Sequence, residues 1–220
     1  MIWVAEIGSC HQGDKSLAYE LIRKAKRAGA TIAKFQFGWT REAQEKYAGG
    51  YDERRYVDDW AKDLAKWCAD MDIELMASIW SLEGLEVARS VGMKRYKIAH
   101  QMRDNRIYDQ IMIDPADVFV SEADHGEMWN WSEKTGFFRI LCNTEYPSYQ
   151  FKYNSDAFGY SSHVHGIADA LIAVARGAEY IEKHVVISQY AGFPKDASFA
   201  ITPEEFRTMV DIGNEMARLR

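Results

Sequence analysis

The chain has 220 residues, 47% of them hydrophobic and 27% charged, with a formal net charge of −6. This composition supports a full buried core, in one large domain or two small ones, and excludes a disordered chain. Acids and bases are interspersed, which argues against a general electrostatic grip on nucleic acid, and no apolar run approaches the roughly 20 residues a membrane helix needs.

In chain order, residues 2–7 read as a strand and 16–28 as a helix, with Asp14 or Ser16 as its cap and Gly29 as its stop. Strand 30–37, helix 56–71 and strand 73–78 follow. Helix 82–91 stops at Gly92 before a short strand at 95–99. A short helix at 107–113 leads to strand 117–121, helix 126–134 and strand 138–143. Strand 157–161, helix 167–176 stopped by Gly177, and strand 180–186 complete the alternation. Thr202, Pro203, Glu204 and Glu205 supply the cap, N1 proline and first-turn acids of a last helix running towards Leu219.

Eight strands alternating with helices predict a single α/β domain over residues 1–220, a (β/α)8 TIM-type barrel with short loops. An open doubly wound sheet is the alternative, disfavoured because no G-x-G-x-x-G follows the first strand. Cys10, Cys68 and Cys142 lie far apart without a CxxC pair, which indicates a reducing compartment. Glu6 comes too early for a secretory signal, so a cytoplasmic protein is expected.

Barrels of this kind carry their chemistry at the carboxyl ends of the strands. Nearly every predicted strand here ends in polar residues. They are Glu6; Lys34 and Gln36; Ser78; Lys97 and His100; Ser121 and Glu122; Cys142, Thr144 and Tyr146; Ser161 and His163; Glu182 and His184. A lone polar strand end means little, but seven or eight that converge make a site. Each has a bland alternative: Glu6 as a loop cap, His163 as a core histidine, Lys34 and Lys97 as surface lysines. The lysines fit that alternative poorly, because parallel strands are buried on both faces and a lysine there needs a partner. His125 and His165 are assigned to structural roles, Cys142 to packing, and residues 128–131 to a helix face.

Several segments, in order, carry a likeness. They are Ala5-Glu6-Ile7-Gly8 with His11 and Gly13; Ala33-Lys34-Phe35-Gln36; Tyr96-Lys97-Ile98-Ala99; Cys142-Asn143-Thr144-Glu145-Tyr146-Pro147; Gly159-Tyr160-Ser161 with His163; Ile181-Glu182-Lys183-His184 after Gly177-Ala178; and Lys195-Asp196-Ala197-Ser198. Through them the chain resembles the catalytic barrel of the sialic acid (N-acetylneuraminate) synthase family, without the antifreeze-like module that follows it there. The resemblance implies condensation of phosphoenolpyruvate with the aldehyde of an amino sugar, with release of phosphate. It implies a divalent metal, manganese first, with magnesium or cobalt as alternatives, held by His163 and His184. Lys34, Gln36, Ser78, Lys97, Ser121 and Ser161 match groups that hold phosphoenolpyruvate. Glu6, Lys97 and Tyr146 match catalytic positions; Thr144 and Tyr146 lie near the junction of the two substrates, and Asp196 matches a sugar-binding aspartate. A homodimer or a partner synthase subunit is the implied assembly.

The chain departs from the family pattern at the fourth, fifth and seventh strand ends. Lys-Ile-Ala-Ser-Gly-Glu becomes Lys97-Ile98-Ala99-His100-Gln101-Met102, Ser-Thr-Gly-Met becomes Ser121-Glu122-Ala123-Asp124, and Ser-Asp-His becomes Ser161-Ser162-His163. The phosphoenolpyruvate and metal half is kept while the sugar half is rewritten, so either a synthase with a different aldehyde acceptor or a minimal synthase that relies on a partner protein is expected. The alternatives are a non-catalytic relative that binds a phosphorylated metabolite or scaffolds a full-length synthase, and a different enzyme, such as an aldolase or isomerase, that uses the same anion site.

Overall fold

A computed structural model describes residues 1–102, 105–111, 113–123, 136–151, 153–154, 156–188 and 195–220. Eight parallel strands form the centre: β1 (Ile2–Glu6), β2 (Ile32–Phe37), β3 (Glu74–Ile79), β4 (Arg95–Ile98), β5 (Asp117–Glu122), β6 (Phe137–Cys142), β7 (Gly159–Ser162) and β8 (Tyr180–His184). Each pairs with its sequence neighbours, and β8 returns to pair with β1, Glu6 opposite His184. The sheet is therefore a closed barrel, and the open alternative is excluded.

The helices described are α1 (Lys15–Arg27), α2 (Arg41–Ala48), α3 (Ala61–Asp70), α4 (Leu82–Ser90), α5 (Asn105–Ile111), α6 (Ala168–Ala175) and α7 (Pro203–Arg218). Asp14 caps α1 by accepting from the backbone N–H of Ser16 and Leu17. Thr202 and Glu205 close a capping box at α7, with Pro203 in the first turn. Two elements differ from the sequence reading. The region expected as one helix from 56 opens with a 3-10 turn at Asp58–Trp60 before α3, and α2 was not anticipated. Only Ala43 and Gln44 of α2 are buried, so it shows no apolar period to read. The helix expected at 126–134, with His125, lies outside the described residues. No described helix is long and apolar enough to cross a membrane.

Successive strand residues face opposite sides of the sheet. Outward residues such as Trp3, Ala5, Phe35 and Tyr160 join the main core under the helices. Inward residues Val4, Ile32, Met76, Phe119, Ile140 and Tyr180 form a second apolar cluster that plugs the barrel. Gly159 makes room for it: a Cβ there would come within 2.5 Å of Tyr180. The plug closes the amino end of the barrel and leaves the carboxyl end as the floor of a cavity.

Candidate active site

Two residues beyond the plug, on the same inward faces, the side chains turn polar. Glu6, Lys34, Ser78, Lys97, Ser121, Ser161, Glu182 and His184 line a cavity at the carboxyl end of the strands. Gln36, Cys142, Tyr146, His163 and Asp196 line it too. Twelve positions were expected at the site, and eleven meet here; Thr144 is exposed and is not among the lining residues. Gly8 lets the chain turn tightly over the floor: its φ is +48°, and a Cβ would stand 2.7 Å from Glu6 Oε1.

Glu182 organises the floor. Its Oε1 accepts from Ser161 Oγ at 2.8 Å and lies 3.5 Å from Lys34 Nζ, while Oε2 accepts from Lys97 Nζ at 3.1 Å and from the Tyr180 hydroxyl. Lys34 Nζ also donates to Ser78 Oγ at 2.9 Å and contacts Glu6 Oε2. All of these groups are buried. Burial pushes the Glu182 carboxyl up, but Lys34 and Lys97 outweigh it and hold Glu182 below the usual carboxylate range. Glu6 goes the other way. Burial, with Glu182 nearby, raises it to about 7 against the pull of Lys34. Neither Glu6 oxygen accepts a well-directed hydrogen bond among the described residues. Burial lowers Lys97, and Glu182 offsets this only in part; Lys34 is held raised by Glu182 and Glu6 despite its burial. The floor thus holds one committed carboxylate between two ammonium groups, beside a second carboxyl poised near neutrality.

His163 and His184 stand on one wall with ring centroids 5.6 Å apart, and Phe199 packs its edge against both. His163 donates its Nδ1–H to the backbone carbonyl of Asn143, which leaves Nε2 with a free lone pair. His184 Nδ1 is buried without a hydrogen-bond partner among the described residues. Burial, reinforced by the other imidazole, pushes His163 well below its ordinary pKa, and burial also lowers His184 against the nearby Asp196. Neutral imidazoles with open lone pairs are the form that binds metal. Among the described residues no group of three or more His, Cys, Asp or Glu converges on one point. Two neutral imidazoles could hold a cation only with water or substrate completing its shell, which is not the ligand set of a closed structural zinc site. The Tyr146 ring lies 4.0 Å from that of His163, and its phenol is pushed well up by burial. Asp196 Oδ2 accepts from Ser9 Oγ at 2.7 Å.

Glu182 was absent from the expected ligands. The signal was present: a buried lysine needs a countercharge, and Glu182 shares its strand face with His184. The rim supplies further residues that sequence reasoning missed. Trp39, Tyr47, Arg55 and Trp80 line the cavity, with the Trp39 and Trp80 rings 4.0 Å apart. Glu122 was among the polar strand ends expected to converge on the mouth. Its Oε2 instead accepts from Arg139 Nε at 2.6 Å, and it does not line the cavity. Met102 is buried, so the altered fourth strand end presents His100 and Gln101 to the cavity. Asp124, residues 128–131 and their roles lie outside the described residues.

Residues 21–122 and 140–219 match the NeuB family. The chain belongs to the NeuB family. Within it, this NeuB member is 27% identical over 244 residues to the N-acetylneuraminate-9-phosphate synthase of Mus musculus, covering 94% of this chain and 67% of that one. It is 25% identical over 245 residues to the N,N'-diacetyllegionaminic acid synthase of Campylobacter jejuni, covering 94% and 73%. An N-acetylneuraminic acid (sialic acid) synthetase from Leptospira borgpetersenii shares the barrel with a TM-score of 0.78 at 24% identity, over 99% of this chain and 84% of that one. At that identity the likeness is one of fold.

Proposed function

We propose that the protein condenses phosphoenolpyruvate with an aldehyde acceptor, an aldose or amino sugar, and releases phosphate. The observation that carries this reading is the buried floor: Lys34 and Lys97 around Glu182, with hydroxyls of Ser78 and Ser161, facing two neutral imidazoles. Phosphoenolpyruvate places several negative charges within a few ångströms. Two ammonium groups and a ring of hydroxyls supply charge-assisted bonds to them. Membership of a family that includes acidic-sugar synthases supports the same reading.

The chemistry asked of the residues follows. Lys34, Lys97 and the serines fix the phosphate and carboxylate so that C3 of the enol faces the acceptor. The C2–C3 π pair forms the bond from C3 to the aldehyde carbon, whose oxygen takes a proton from solvent, and C2 becomes electron-poor. Water adds at C2, and Glu6, raised to about 7, accepts its proton near the working pH. The C2–O bond to phosphate then breaks as the new C2 hydroxyl passes its proton to the departing phosphate, leaving a 2-keto acid. A divalent cation on His163 and His184, manganese first, supplies Lewis-acid polarisation of the aldehyde oxygen when bound. Tyr146, packed on His163, borders the place where the two substrates meet.

The test is release of phosphate from phosphoenolpyruvate with Mn²⁺ and a panel of aldoses, with the product identified by mass spectrometry. Release that needs both metal and one acceptor is expected, and His163→Ala abolishes it. No release with any acceptor, and no effect of His163→Ala, overturns the reading.

A further inference from the structure

Ser162 and Lys183 directly neighbour the two imidazoles in sequence, but strand alternation turns them to the outer side of the barrel wall. There they are buried beneath α6. Lys183 Nζ donates to Ser162 Oγ at 2.7 Å and contacts the Val164 carbonyl. Ser162 Oγ in turn donates to Asp169 Oδ2, on α6, at 2.6 Å. The Tyr160 hydroxyl lies 2.9 Å from the same Asp169 oxygen and also touches Asn143 Oδ1. Asn143 is the residue whose backbone carbonyl accepts from His163, and its Nδ2 donates to the Gln150 carbonyl at 2.6 Å. Asp169 therefore ties α6 to the ends of β6, β7 and β8 at once.

A network of this kind is costly as a pure scaffold. Lys183 is fully buried, Asp169 Oδ1 lies 4.0 Å from its Nζ, and that oxygen accepts no hydrogen bond among the described residues. Well-packed apolar side chains could fill the same gap without desolvating two charges. What they could not do is set the direction of the Asn143 carbonyl and cross-link the residues that precede the two histidines. Hydrogen-bonded ligand orienters behind a first layer of imidazoles have that effect.

We propose that Asp169 is a positioning residue: through Ser162–Lys183 and Tyr160–Asn143 it fixes the separation and ring orientation of His163 and His184. The proposal rests on the two-imidazole reading above. Mn²⁺ affinity is measured by titration with paramagnetic resonance of the free ion, alongside the melting temperature and the His163 tautomer from long-range ¹H–¹⁵N spectra. Asp169→Asn is expected to weaken Mn²⁺ binding about 10- to 100-fold. Tyr160→Phe, a milder change that keeps the ring packing, weakens it less and loosens the single Nδ1–H tautomer. Adding Lys183→Met to Asp169→Asn removes the stranded ammonium and recovers melting temperature, but Mn²⁺ affinity stays low. A purely structural role predicts the reverse, with affinity returning with stability. Folded variants that bind Mn²⁺ within twofold of wild type and keep the tautomer overturn the proposal alone. A wild type that binds no Mn²⁺ sinks the two-imidazole reading, and this proposal with it.

Discussion

The plug and the floor of the barrel are built from the same strands, two residues apart. Val4 precedes Glu6, Ile32 precedes Lys34, Met76 precedes Ser78, Phe119 precedes Ser121 and Tyr180 precedes Glu182. Backbone pairing is continuous through both layers. The plug gains stability from close packing, whereas the floor buries charge and is tolerable only because barrel closure brings Glu182 between two distant lysines. A barrel interior can thus change from core to site within one strand period, with no alteration of the fold.

The largest expected effect tests the charge balance of the floor. Glu182→Ala strands the buried Lys97 ammonium and leaves Lys34 with Glu6 as its carboxylate partner, and unfolding in urea should show a loss of about 3–5 kcal/mol together with lost turnover. A loss below 1 kcal/mol would mean that Glu182 does not organise the floor. Met76→Ala, in the plug, should cost about 2–5 kcal/mol by cavity formation. It should leave phosphoenolpyruvate affinity of the folded protein unchanged, because Met76 does not line the cavity. Weakened binding there would show that plug and floor are not separable.

Smaller effects belong to the rim. Asp58 accepts from the Gly38 backbone N–H with both carboxylate oxygens, at 3.0 and 2.9 Å, and so anchors the chain leaving β2 towards Trp39. Burial raises its carboxyl to about 6. A raised carboxyl favours the protonated form in the folded state, so its stabilising contribution is present below about pH 4 and is lost as pH rises through about 6. Asp58→Asn should therefore gain melting temperature relative to wild type on going from about pH 4 to pH 7; the opposite slope would contradict the burial argument. The smallest change is Thr144→Ala. As an exposed residue outside the cavity lining it should shift stability by less than about 0.5 kcal/mol and leave KM for phosphoenolpyruvate unchanged. A raised KM would return Thr144 to the site.

Most strands were legible because they are short, largely apolar runs that end in polar residues, several of them just after a glycine, and their inward polar residues were legible as a set. Missing from that reading was which charge meets which. Lys97 and Glu182 are 85 residues apart and meet only because the barrel closes. Glu122 looked like a mouth acid, yet it spends its charge on Arg139 of the adjacent strand. Helix α2 escaped because two buried residues give no period, and with it went the approach of Tyr47 to the rim. Side chains whose role depends on neighbours far along the chain carry little local signature, whereas those set by strand alternation carry a great deal.

On the proposed reading, the floor receives phosphoenolpyruvate. Calorimetric titration of phosphoenolpyruvate into the wild type, Lys34→Met and Lys97→Met tests it most directly. Saturable binding to the wild type and its loss in both variants, each still folded, is the predicted result. Absence of binding to the wild type, or binding that survives both substitutions, would contradict it.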